Sequence, residues 1–425
     1  MLDTQTIKDY AYSLGFDNAR IATAEAFPEA ERVLRDRIEQ GMMDGLPWFT
    51  AERANVSCHP DALLPDARSI ISLAMCYLTE QPQEEERHLQ EGSPRGRISR
   101  YAWGDDYHDI IKPKLHQFAA WLRDYARTEM GDEVETRLFV DTGRMVDRAV
   151  AQRAGLGWYG KNTNILTKSW GSWVFLAEIV TNLPLVADEP LKANCGSCER
   201  CLHACPTGAL PRPYELDTPR CISFLTIELR GSIPLELRPL MGNLIFGCDI
   251  CQDVCPVNQV AEKRLGVRNE RTSELASTAS RPARPVIQLQ PRHTPNSTSF
   301  RGHESFYPRP QVSGTPELLS LLSLTEDEFR ERFRRSPIKR TKRRGLLRNV
   351  CVALGNSGDR RAVPALSKAL HDDEALVRGH AAWALGRLGG EQAQQELRAV
   401  TSTEQDDEVQ REIACALAMF AEKEQ

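Results

Sequence analysis

Cysteine is the residue type that this sequence concentrates in one region. Eight of the twelve cysteines fall between residues 195 and 255. In a reducing compartment such crowding favours a metal site over a disulfide framework. The other four, Cys58, Cys76, Cys351 and Cys415, stand alone, and we expect them to be small buried hydrophobic residues. The region 195–255 is therefore the first candidate for chemistry.

The spacing of these eight cysteines is typical of iron–sulfur ligands. From Cys195 to Pro206 the chain reads Cys-x2-Cys-x2-Cys-x3-Cys-Pro, the run of bacterial ferredoxins, in which the fourth thiolate reaches the other cluster. From Cys248 to Pro256 it reads Cys-x2-Cys-x3-Cys-Pro, with Cys221 upstream. We therefore predict two [4Fe-4S] clusters. We assign Cys195, Cys198, Cys201 and Cys255 to the first cluster, and Cys205, Cys221, Cys248 and Cys251 to the second.

Zinc is the competing ligand, because Cys-x2-Cys pairs also suit tetrahedral sulfur sites. Three cysteines at successive x2 spacings followed by Cys-Pro favour iron–sulfur. Ligands that cross between two groups would bring the two clusters close together, so that electrons could pass between them. The pattern thus predicts electron transfer without naming the acceptor.

The elements that must position this chemistry can be outlined from apolar periodicity. Ser69–Leu78 is a continuous apolar run, as expected of a strand covered on both faces. His108–Thr128 has the pattern of a long amphipathic helix. Val134–Val140 is a predicted strand, and Thr163–Thr167 with Ser172–Val180 is a predicted hairpin.

A repeat marks the C-terminal part of the chain. Cys351–Gly355 (CVALG) recurs as Ala382–Gly386 (AWALG) and, more weakly, as Ile413–Leu417 (IACAL), a period of about 31 residues. Such a period is typical of HEAT-like helix pairs stacked as a solenoid. We predict these consecutive domains: 1–190, mixed α/β; 191–258, ferredoxin-like; 259–315, flexible insertion rich in Ser, Thr, Pro and Arg; 316–425, basic helical segment and HEAT-like repeats.

Net charge and hydropathy indicate which partners and which compartment to expect. The formal net charge is −5, so any nucleic-acid footprint must be a local patch. The densest patch lies between residues 330 and 348, where ten basic residues accompany a single acid, Glu331. The N-terminus has no basic region followed by an apolar run, and no apolar stretch is long and uninterrupted enough to span a bilayer. We expect a cytoplasmic chain with no membrane partner, and a monomer by default.

Five further motifs stand out along the chain: Ser99–His108 (SRYAWGDDYH), Phe139–Gly143 (FVDTG), Ala154–Asn162 (AGLGWYGKN), Arg220–Glu228 (RCISFLTIE) and Gly247–Gln252 (GCDICQ). Together they resemble one known family, that of epoxyqueuosine reductase. These cobalamin-dependent enzymes carry out the last step of queuosine synthesis in tRNA. The resemblance covers nearly the whole chain apart from the insertion near 260–310. Arg144 and Val257 depart from the family pattern, which has proline and tryptophan there.

The resemblance implies a fold, a cofactor and a reaction. The fold would be an α/β (α+β) cobalamin-binding N-terminal domain, a two-cluster ferredoxin-like domain and all-α HEAT-like repeats. An external low-potential donor would reduce the clusters, and the nearer cluster would reduce cobalamin. The sequence around Asp106-Tyr107-His108 starts like a cobalamin motif but has Ile111 where that motif has glycine, so we expect no histidine ligand on cobalt. The reaction converts an epoxide into an alkene with two electrons and two protons, and releases water.

Asp141 is our candidate general acid for this reaction, because an epoxide oxygen leaves poorly unless it is protonated. It follows a predicted strand, at the kind of edge where open α/β sheets gather their sites, and it matches the family's proton donor. We expect burial beside the cofactor, which would favour the protonated acid. The alternative is an N-cap for a helix that starts near Met145.

The remaining candidate residues follow from the resemblance or from charge. We propose that the basic segment and the HEAT-like tail hold the anticodon stem-loop of tRNA. Candidate cobalamin contacts are Arg53, Tyr101, Asp141, Lys161, Asn162 and Ser223. Candidate tRNA contacts are Thr226, Lys339, Arg340, Lys342, Arg343 and Arg344.

Two other functions stay open on the residues alone. A reductive dehalogenase shares cobalamin and paired clusters, but the missing export signal and the basic tail argue against it. A ferredoxin-like electron carrier with a HEAT docking module would need neither a corrin pocket nor Asp141.

Overall fold

The computed structural model describes residues 3–79, 92–131, 133–267, 302–309 and 311–423. The chain divides into two compact units, each built from three stretches. Because both units draw residues from 191–258, they do not coincide with the consecutive domains predicted from the sequence. Unit 1 comprises Met1–Glu80, Asp105–Thr218 and Ile250–Tyr307, and unit 2 comprises Gln81–Gly104, Pro219–Asp249 and Pro308–Gln425.

The α-helices of the described residues are numbered in chain order. They are α1 Thr4–Ser13, α2 Pro28–Glu39, α3 Ala51–Cys58, α4 Pro60–Leu63, α5 Tyr107–Met130, α6 Asp147–Arg153, α7 Arg200–Ala204, α8 Ile222–Ile227, α9 Ile250–Asp253, α10 Pro256–Leu265, α11 Leu318–Leu322, α12 Glu326–Phe333, α13 Lys342–Ser357, α14 Val363–Ala369, α15 Ala375–Leu388, α16 Glu391–Thr401 and α17 Asp407–Lys423.

The strands are numbered in the same way. They are β1 Asn18–Thr23, β2 Ser69–Cys76, β3 Arg97–Ile98, β4 Thr136–Phe139, β5 Trp158–Tyr159, β6 Ile165–Leu166, β7 Val174–Thr181 and β8 Leu244–Phe246.

A four-stranded antiparallel sheet organises unit 1, in the order β1-β2-β7-β4. All eight residues of β2 are buried, which confirms that its continuous apolar run is covered on both faces. The sheet contains no parallel pair, so the expectation that Asp141 lies at the edge where an open α/β sheet gathers its sites does not hold. Asp141 instead follows β4, which is an edge strand of this sheet.

The predicted hairpin of residues 163–167 and 172–180 is wrong as a strand pair. Strand β6 pairs with β5, whereas β7 pairs with β2 and β4. A single bridge between Thr167 and Gly171 remains from the hairpin. The turn residues between the two runs signal a reversal of the chain, but alternation of apolar residues does not identify a strand's partner.

Helix α6 covers one face of this sheet. Its residues Val150 and Ala154 pack with Ile70 and Val180, and Ala151 lies in a neighbouring apolar cluster with Ala74. Burial of these side chains holds the start of α6, and with it the end of the loop after β4, against the sheet.

Unit 2 contains the predicted HEAT-like repeat as helices α13, α15 and α17 with their partner helices. Gly355 and Gly386 occupy equivalent positions of the repeat. A Cβ at Gly355 would lie 2.7 Å from the ring of Trp383, and one at Gly386 would lie 2.9 Å from Cα of Ala416. The two glycines thus let successive repeat helices approach closely, which explains the recurring Leu-Gly pair.

The isolated cysteines are buried as predicted, with one exception. Cys58, Cys76 and Cys351 are buried, but Cys415 is exposed. In its helix, α17, Cys415 shares an exposed face with Ala414 and Ala418. Cys415 was therefore wrongly predicted.

The segment 259–315 is not uniformly an insertion. Helix α10 continues to Leu265, and Phe306 in unit 1 and Val312 in unit 2 are each buried. The central part of the predicted insertion, 268–301, lies outside the described residues. No helix in the described part of the chain combines the length and the apolar character needed to cross a bilayer.

Candidate iron–sulfur and active site

The four cysteines assigned to the first cluster all lie in unit 1 and influence one another's charge. In the described residues, no group of three or more His, Cys, Asp or Glu side chains is arranged as a metal ion would hold them. The pKa of Cys201 is raised to about 12, first by burial and then by the charges of Cys255, Cys195 and Cys198. The pKa of Cys255 is raised to about 11 by burial, and the charges of Cys195 and Cys198 also raise it. Such mutual influence requires four thiols close together, and their protons must leave when a cluster binds.

Local structure explains how these thiols come near one another. Gly196 adopts a φ of +52°, and the turn closes with the amide of Cys198 donating to the carbonyl of Cys195 at 3.1 Å. Cys255 is the N-cap of α10, and Pro256 starts that helix, where its missing N–H costs nothing.

An orphaned donor fits a sulfur-bound cluster at this point. The indole nitrogen of Trp158 is buried and has no oxygen or nitrogen partner, yet it lies within reach of the Cys195 thiol, whose pKa it lowers against the larger effect of burial. An N–H directed at a ligand sulfur is one of the groups that tune cluster potentials. The sequence offered no signal for Trp158.

Lys161 and Asn162 contact the cysteine segments. The buried Lys161 ammonium lies 3.4 Å from Glu199 Oε1, and its backbone hydrogen-bonds the Cys195 thiol. The amide of Asn162 donates to the carbonyl of Cys251 at 3.2 Å. Their contacts in unit 1 therefore support the ligand loops, a role that was not predicted from the sequence, and their contact with the corrin stays a prediction.

The four cysteines of the second set are half-buried and divide between the units. Cys205 and Cys251 belong to unit 1, and Cys221 and Cys248 belong to unit 2. Within unit 2, Cys221 is the N-cap of α8, and Cys248 follows β8 after one glycine.

Thr226 was wrongly predicted to contact tRNA. Its side chain is fully buried; the hydroxyl donates to the carbonyl of Ile222 at 2.7 Å and accepts from the amide of Gly247 at 2.9 Å. A small polar residue in a helix gives no sequence signal that separates such a bridge from a surface contact.

The loop after β4 presents Asp141. Asp141 has a φ of +50°, and its carboxylate accepts a hydrogen bond from the Tyr107 hydroxyl. It lies 3.9 Å from His108 Nε2, and its side chain is 52% exposed. The burial expected from the sequence is therefore not seen. The N-cap alternative is also wrong, because α6 starts at Asp147 and its N-cap is Val146.

The imidazole of His108 is held at both nitrogens within unit 1. Nδ1 lies 3.1 Å from Asp106 Oδ1, and Nε2 lies 3.3 Å from the Thr142 hydroxyl. A carboxylate at Nδ1 fixes the ring's orientation and tautomer. This arrangement directs Nε2 to the loop of Asp141.

Arg53 and a cavity border the same loop. The Arg53 guanidinium donates to the carbonyl of Gly143 at 2.8 Å, so this candidate holds the loop from α3. A cavity of about 530 Å³ lies between α5 and β4, and Thr142 and Gly143 form part of its wall. The lining includes cationic Lys112, Arg123 and Arg137, which makes the open space beside the loop suitable for an anionic group. The candidates Tyr101 and Ser223 are half-buried residues of unit 2.

A buried carboxyl pair lies behind this loop. Glu178 is fully buried and Asp147 is half-buried. Burial, together with the charge of Asp147, raises the pKa of Glu178 well above its usual range. Burial likewise raises the pKa of Asp147 to about 6. No donor in the described chain reaches the Glu178 oxygens, so the two carboxyls can hydrogen-bond each other only while one is protonated.

The basic segment in unit 2 is less uniform than its sequence suggests. Arg343 donates to both oxygens of Asp372, at 3.1 and 2.6 Å, and to the carbonyl of Leu324. Arg343 is therefore held by an ion pair within unit 2, and its contact with tRNA stays a prediction. Lys339 and Lys342 are exposed, whereas Arg340 and Arg344 are half-buried.

Three family models match separate parts of the chain. The model described as Epoxyqueuosine reductase QueG, DUF1730 matches residues 58–142, a 4Fe-4S double cluster binding domain matches 194–258, and HEAT repeats match 340–418. The fold and the cysteine set thus define an iron–sulfur protein that joins a mixed α/β region, a double-cluster segment and HEAT-like repeats.

Relatives that match nearly the full length of the chain identify its family within this class. Epoxyqueuosine reductase of Bacillus subtilis (strain 168) is 35% identical over 407 residues, or 95% of this chain and 92% of that protein. The Escherichia coli (strain K12) enzyme of the same name is 33% identical over 384 residues, or 90% of this chain and 89% of that protein. The chain belongs to the epoxyqueuosine reductase family and is an oxidoreductase.

Solved structures agree with this assignment. Epoxyqueuosine reductase with an epoxyqueuosine-modified tRNA stem loop has a TM-score of 0.81 and 32% identity, and the match covers 98% of each chain. A Bacillus subtilis structure whose catalytic aspartate loop is swung out of the active site has a TM-score of 0.79 at the same identity and coverage.

Proposed function

We propose that this protein reduces epoxyqueuosine to queuosine in the anticodon loop of tRNA. Electrons from an external low-potential donor would pass through two [4Fe-4S] clusters to cobalamin. The observation that carries the proposal is the match, over 98% of both chains, to a relative solved with the modified stem loop.

The clusters would be held by the eight cysteines. The mutual influence of four thiols in unit 1 supports Cys195, Cys198, Cys201 and Cys255 as one ligand set. We assign Cys205, Cys221, Cys248 and Cys251 to the other cluster, on the ferredoxin spacing.

Cobalamin, once bound and reduced, supplies the electrons that open the epoxide. The protein places the substrate and supplies protons. Asp141 gives a proton to the epoxide oxygen as the carbon–oxygen bond breaks. The second carbon–oxygen bond then breaks, a second proton completes the water molecule, and the alkene remains. Two electrons and two protons balance the reaction.

Neighbouring groups control the proton on Asp141. The Tyr107 hydroxyl donates to the carboxylate that remains after proton transfer, and so stabilises it. His108 Nε2, held by Asp106 through the opposite nitrogen, lies close enough to return a proton to Asp141 after a small movement of the loop. Arg53 binds the backbone at Gly143 and limits how far the loop can move.

A reconstituted enzyme tests the proposal. The protein is loaded anaerobically with iron, sulfide and cobalamin, and queuosine is measured in epoxyqueuosine-containing tRNA after addition of a low-potential reductant. Asp141→Asn should lower kcat about 10²- to 10⁴-fold while both clusters remain, because an amide cannot donate the proton. Asp109→Asn, an exposed change on α5, is the control. Full activity of Asp141→Asn would reject the general-acid role, and a wild type without product would reject the function.

A further inference from the structure

Helix α13 brings two buried polar side chains to the backbone of the second cysteine set. Arg348 and Asn349 are both fully buried. They lie in the second turn of a helix whose first turn carries the basic Lys342, Arg343 and Arg344. Polar groups buried this deeply need partners, and the partners include backbone carbonyls that follow Cys221 and precede Cys248 in the chain.

Asn349 connects the two cysteine segments through one amide group. Its Nδ2 donates to the carbonyl of Thr226 at 2.8 Å and to the carbonyl of Ile245 at 2.9 Å. Thr226 lies five residues after Cys221, and Ile245 lies three residues before Cys248. The amide therefore sets the separation between helix α8 and strand β8.

The hydroxyl of Thr226 makes a second connection between the same segments. It donates to the carbonyl of Ile222, directly after Cys221, and accepts from the amide of Gly247, directly before Cys248. Gly247 itself has a φ of +69°, and a Cβ there would lie 2.5 Å from Ser99 Cβ. The backbone next to Cys248 thus has little freedom to find another position.

Arg348 orients Asn349 and binds the far end of the Cys221 segment. Its Nε donates to Asn349 Oδ1 at 3.0 Å, which turns Nδ2 of the amide towards the two carbonyls. Its terminal nitrogens donate to the carbonyls of Leu225, Leu229 and Gly231 at 2.6 to 2.8 Å. Burying a guanidinium is costly, and burial lowers the pKa of Arg348 to about 9. The four hydrogen bonds offset that cost.

We propose that Asn349, Arg348 and Thr226 are positioning residues for the second cluster, because they fix the separation of its ligands Cys221 and Cys248. This inference rests on the two-cluster assignment of the proposed function. The repeat helix α13 then acts as part of the redox centre's scaffold. Hydrogen-bonded partners outside the ligand set commonly decide whether a metal centre assembles and at what potential it works.

The same helix supplies a matched control. Asn356, two turns further along α13, donates from Nδ2 to the carbonyls of Arg238 and Gly242 at 2.8 and 2.9 Å. The hydrogen bonds from its Nδ2 therefore equal those from Asn349 Nδ2 in number and length, but they reach a segment that contains no cysteine.

The test compares Asn349→Ala with Asn356→Ala in the full chain after anaerobic reconstitution. Asn349→Ala should retain about half of the wild-type iron, or show a shifted midpoint potential for one of the two clusters. Asn356→Ala should match the wild type in both readouts, even if it unfolds at a similarly lowered temperature. If Asn349→Ala binds full iron at unchanged potentials, or if the two variants lose iron equally, the proposal is overturned.

A second pair of variants covers the case in which Asn349→Ala does not fold. Thr226→Val keeps the side-chain shape but loses both hydroxyl hydrogen bonds, whereas Thr226→Ser keeps the hydroxyl. The valine variant should lose or shift the second cluster, and the serine variant should restore it. Equal behaviour of the two variants would reject the proposal. A wild type that assembles one cluster or binds zinc would instead reject the proposed function.

Discussion

At the scale of single residues, two side chains of helix α5 approach Asp141, the proposed general acid. Its carboxyl is half-exposed on a loop, and Tyr107 and His108 approach it from the start of α5. A half-exposed acid in water has many ways to solvate its charge, so fixed partners matter most when substrate and cofactor exclude water. In the proposed mechanism, Tyr107 and His108 would therefore help to control the proton on Asp141.

Removing the Tyr107 hydroxyl tests that interpretation. Tyr107→Phe should lower kcat about 3- to 10-fold, because one hydrogen bond to a charged group contributes on the order of 1 kcal/mol. Iron content and the affinity for cobalamin should not change. Tyr125→Phe, on the same helix and stacked on Trp121, is the control. An unchanged rate would show that the hydroxyl plays no part in turnover.

The buried pair of Glu178 and Asp147 predicts a pH dependence of stability. Burial raises both pKa values above those of the unfolded chain. Between about pH 4 and at least pH 6 the folded state keeps protons that the unfolded chain has lost, so stability falls as pH rises through this window.

The Glu178→Gln variant should lose less stability than the wild type as the pH rises. Relative to the wild type, we expect the variant to gain about 1 to 3 kcal/mol in the free energy of unfolding between pH 4.5 and pH 8. Urea titrations at several pH values measure the gain. Glu129→Gln, at an exposed position of α5, should leave the pH dependence as it is. If the free energy of unfolding changes with pH in parallel for the wild type and Glu178→Gln, the prediction is contradicted.

At the scale of elements, the repeat helices are held together by close contacts that only glycine permits. Gly355 faces the Trp383 ring and the backbone of Ala384, whereas Gly379 has a Glu412 side chain 3.4 Å away as its nearest neighbour. Both glycines lie inside helices, so both changes to alanine gain similar helix propensity. The difference in stability between the two alanine variants therefore measures the packing between repeats.

Gly355→Ala should destabilise unit 2 by about 1 to 3 kcal/mol, the usual cost of overpacking. Gly379→Ala should be neutral or slightly stabilising, because its Cβ would meet a flexible side chain at ordinary contact distance. Thermal unfolding of both variants provides the comparison. If both variants unfold at the same temperature, the repeat helices must tolerate a wider separation than the structure shows.

At the scale of the whole molecule, a chain of net charge −5 must bind a polyanion through a local surface. In the structure, the basic segment exposes fewer cations than its sequence contains, because Arg343 is paired with Asp372 and Arg348 is buried. Lys339 and Lys342 carry the most exposed charges among the candidates. Phosphate contacts by such residues release counterions, so binding should weaken with salt.

Changing Lys339 and Lys342 together to alanine should weaken binding of the tRNA stem-loop and make the slope of log affinity against log salt shallower by about 1 to 2. Lys368→Ala, an exposed lysine of α14, is the control and should leave the slope unchanged. Filter binding at several salt concentrations gives both slopes. An unchanged slope in the double variant would place the RNA surface elsewhere.

The sequence by itself determined the features that depend on neighbours along the chain. Cysteine spacing predicted the ligand loops, the 31-residue period predicted the stacked helices, and the apolar run of β2 predicted its burial. The sequence signature around Asp141 and its resemblance to a family indicated the reaction. Each of these signals is local, because turns, helix faces and strand burial are set within a few residues.

Tertiary structure alone decided which distant segments meet. It paired β7 with β2 and β4 rather than in a hairpin, buried Thr226, and directed Arg343 to Asp372. It also placed Asn349 between the segments of Cys221 and Cys248, which lie more than 100 residues earlier in the chain. Residue type and periodicity carry no information about such partners, because the energy of a contact between two distant segments depends on both surfaces and on every element that holds them in place.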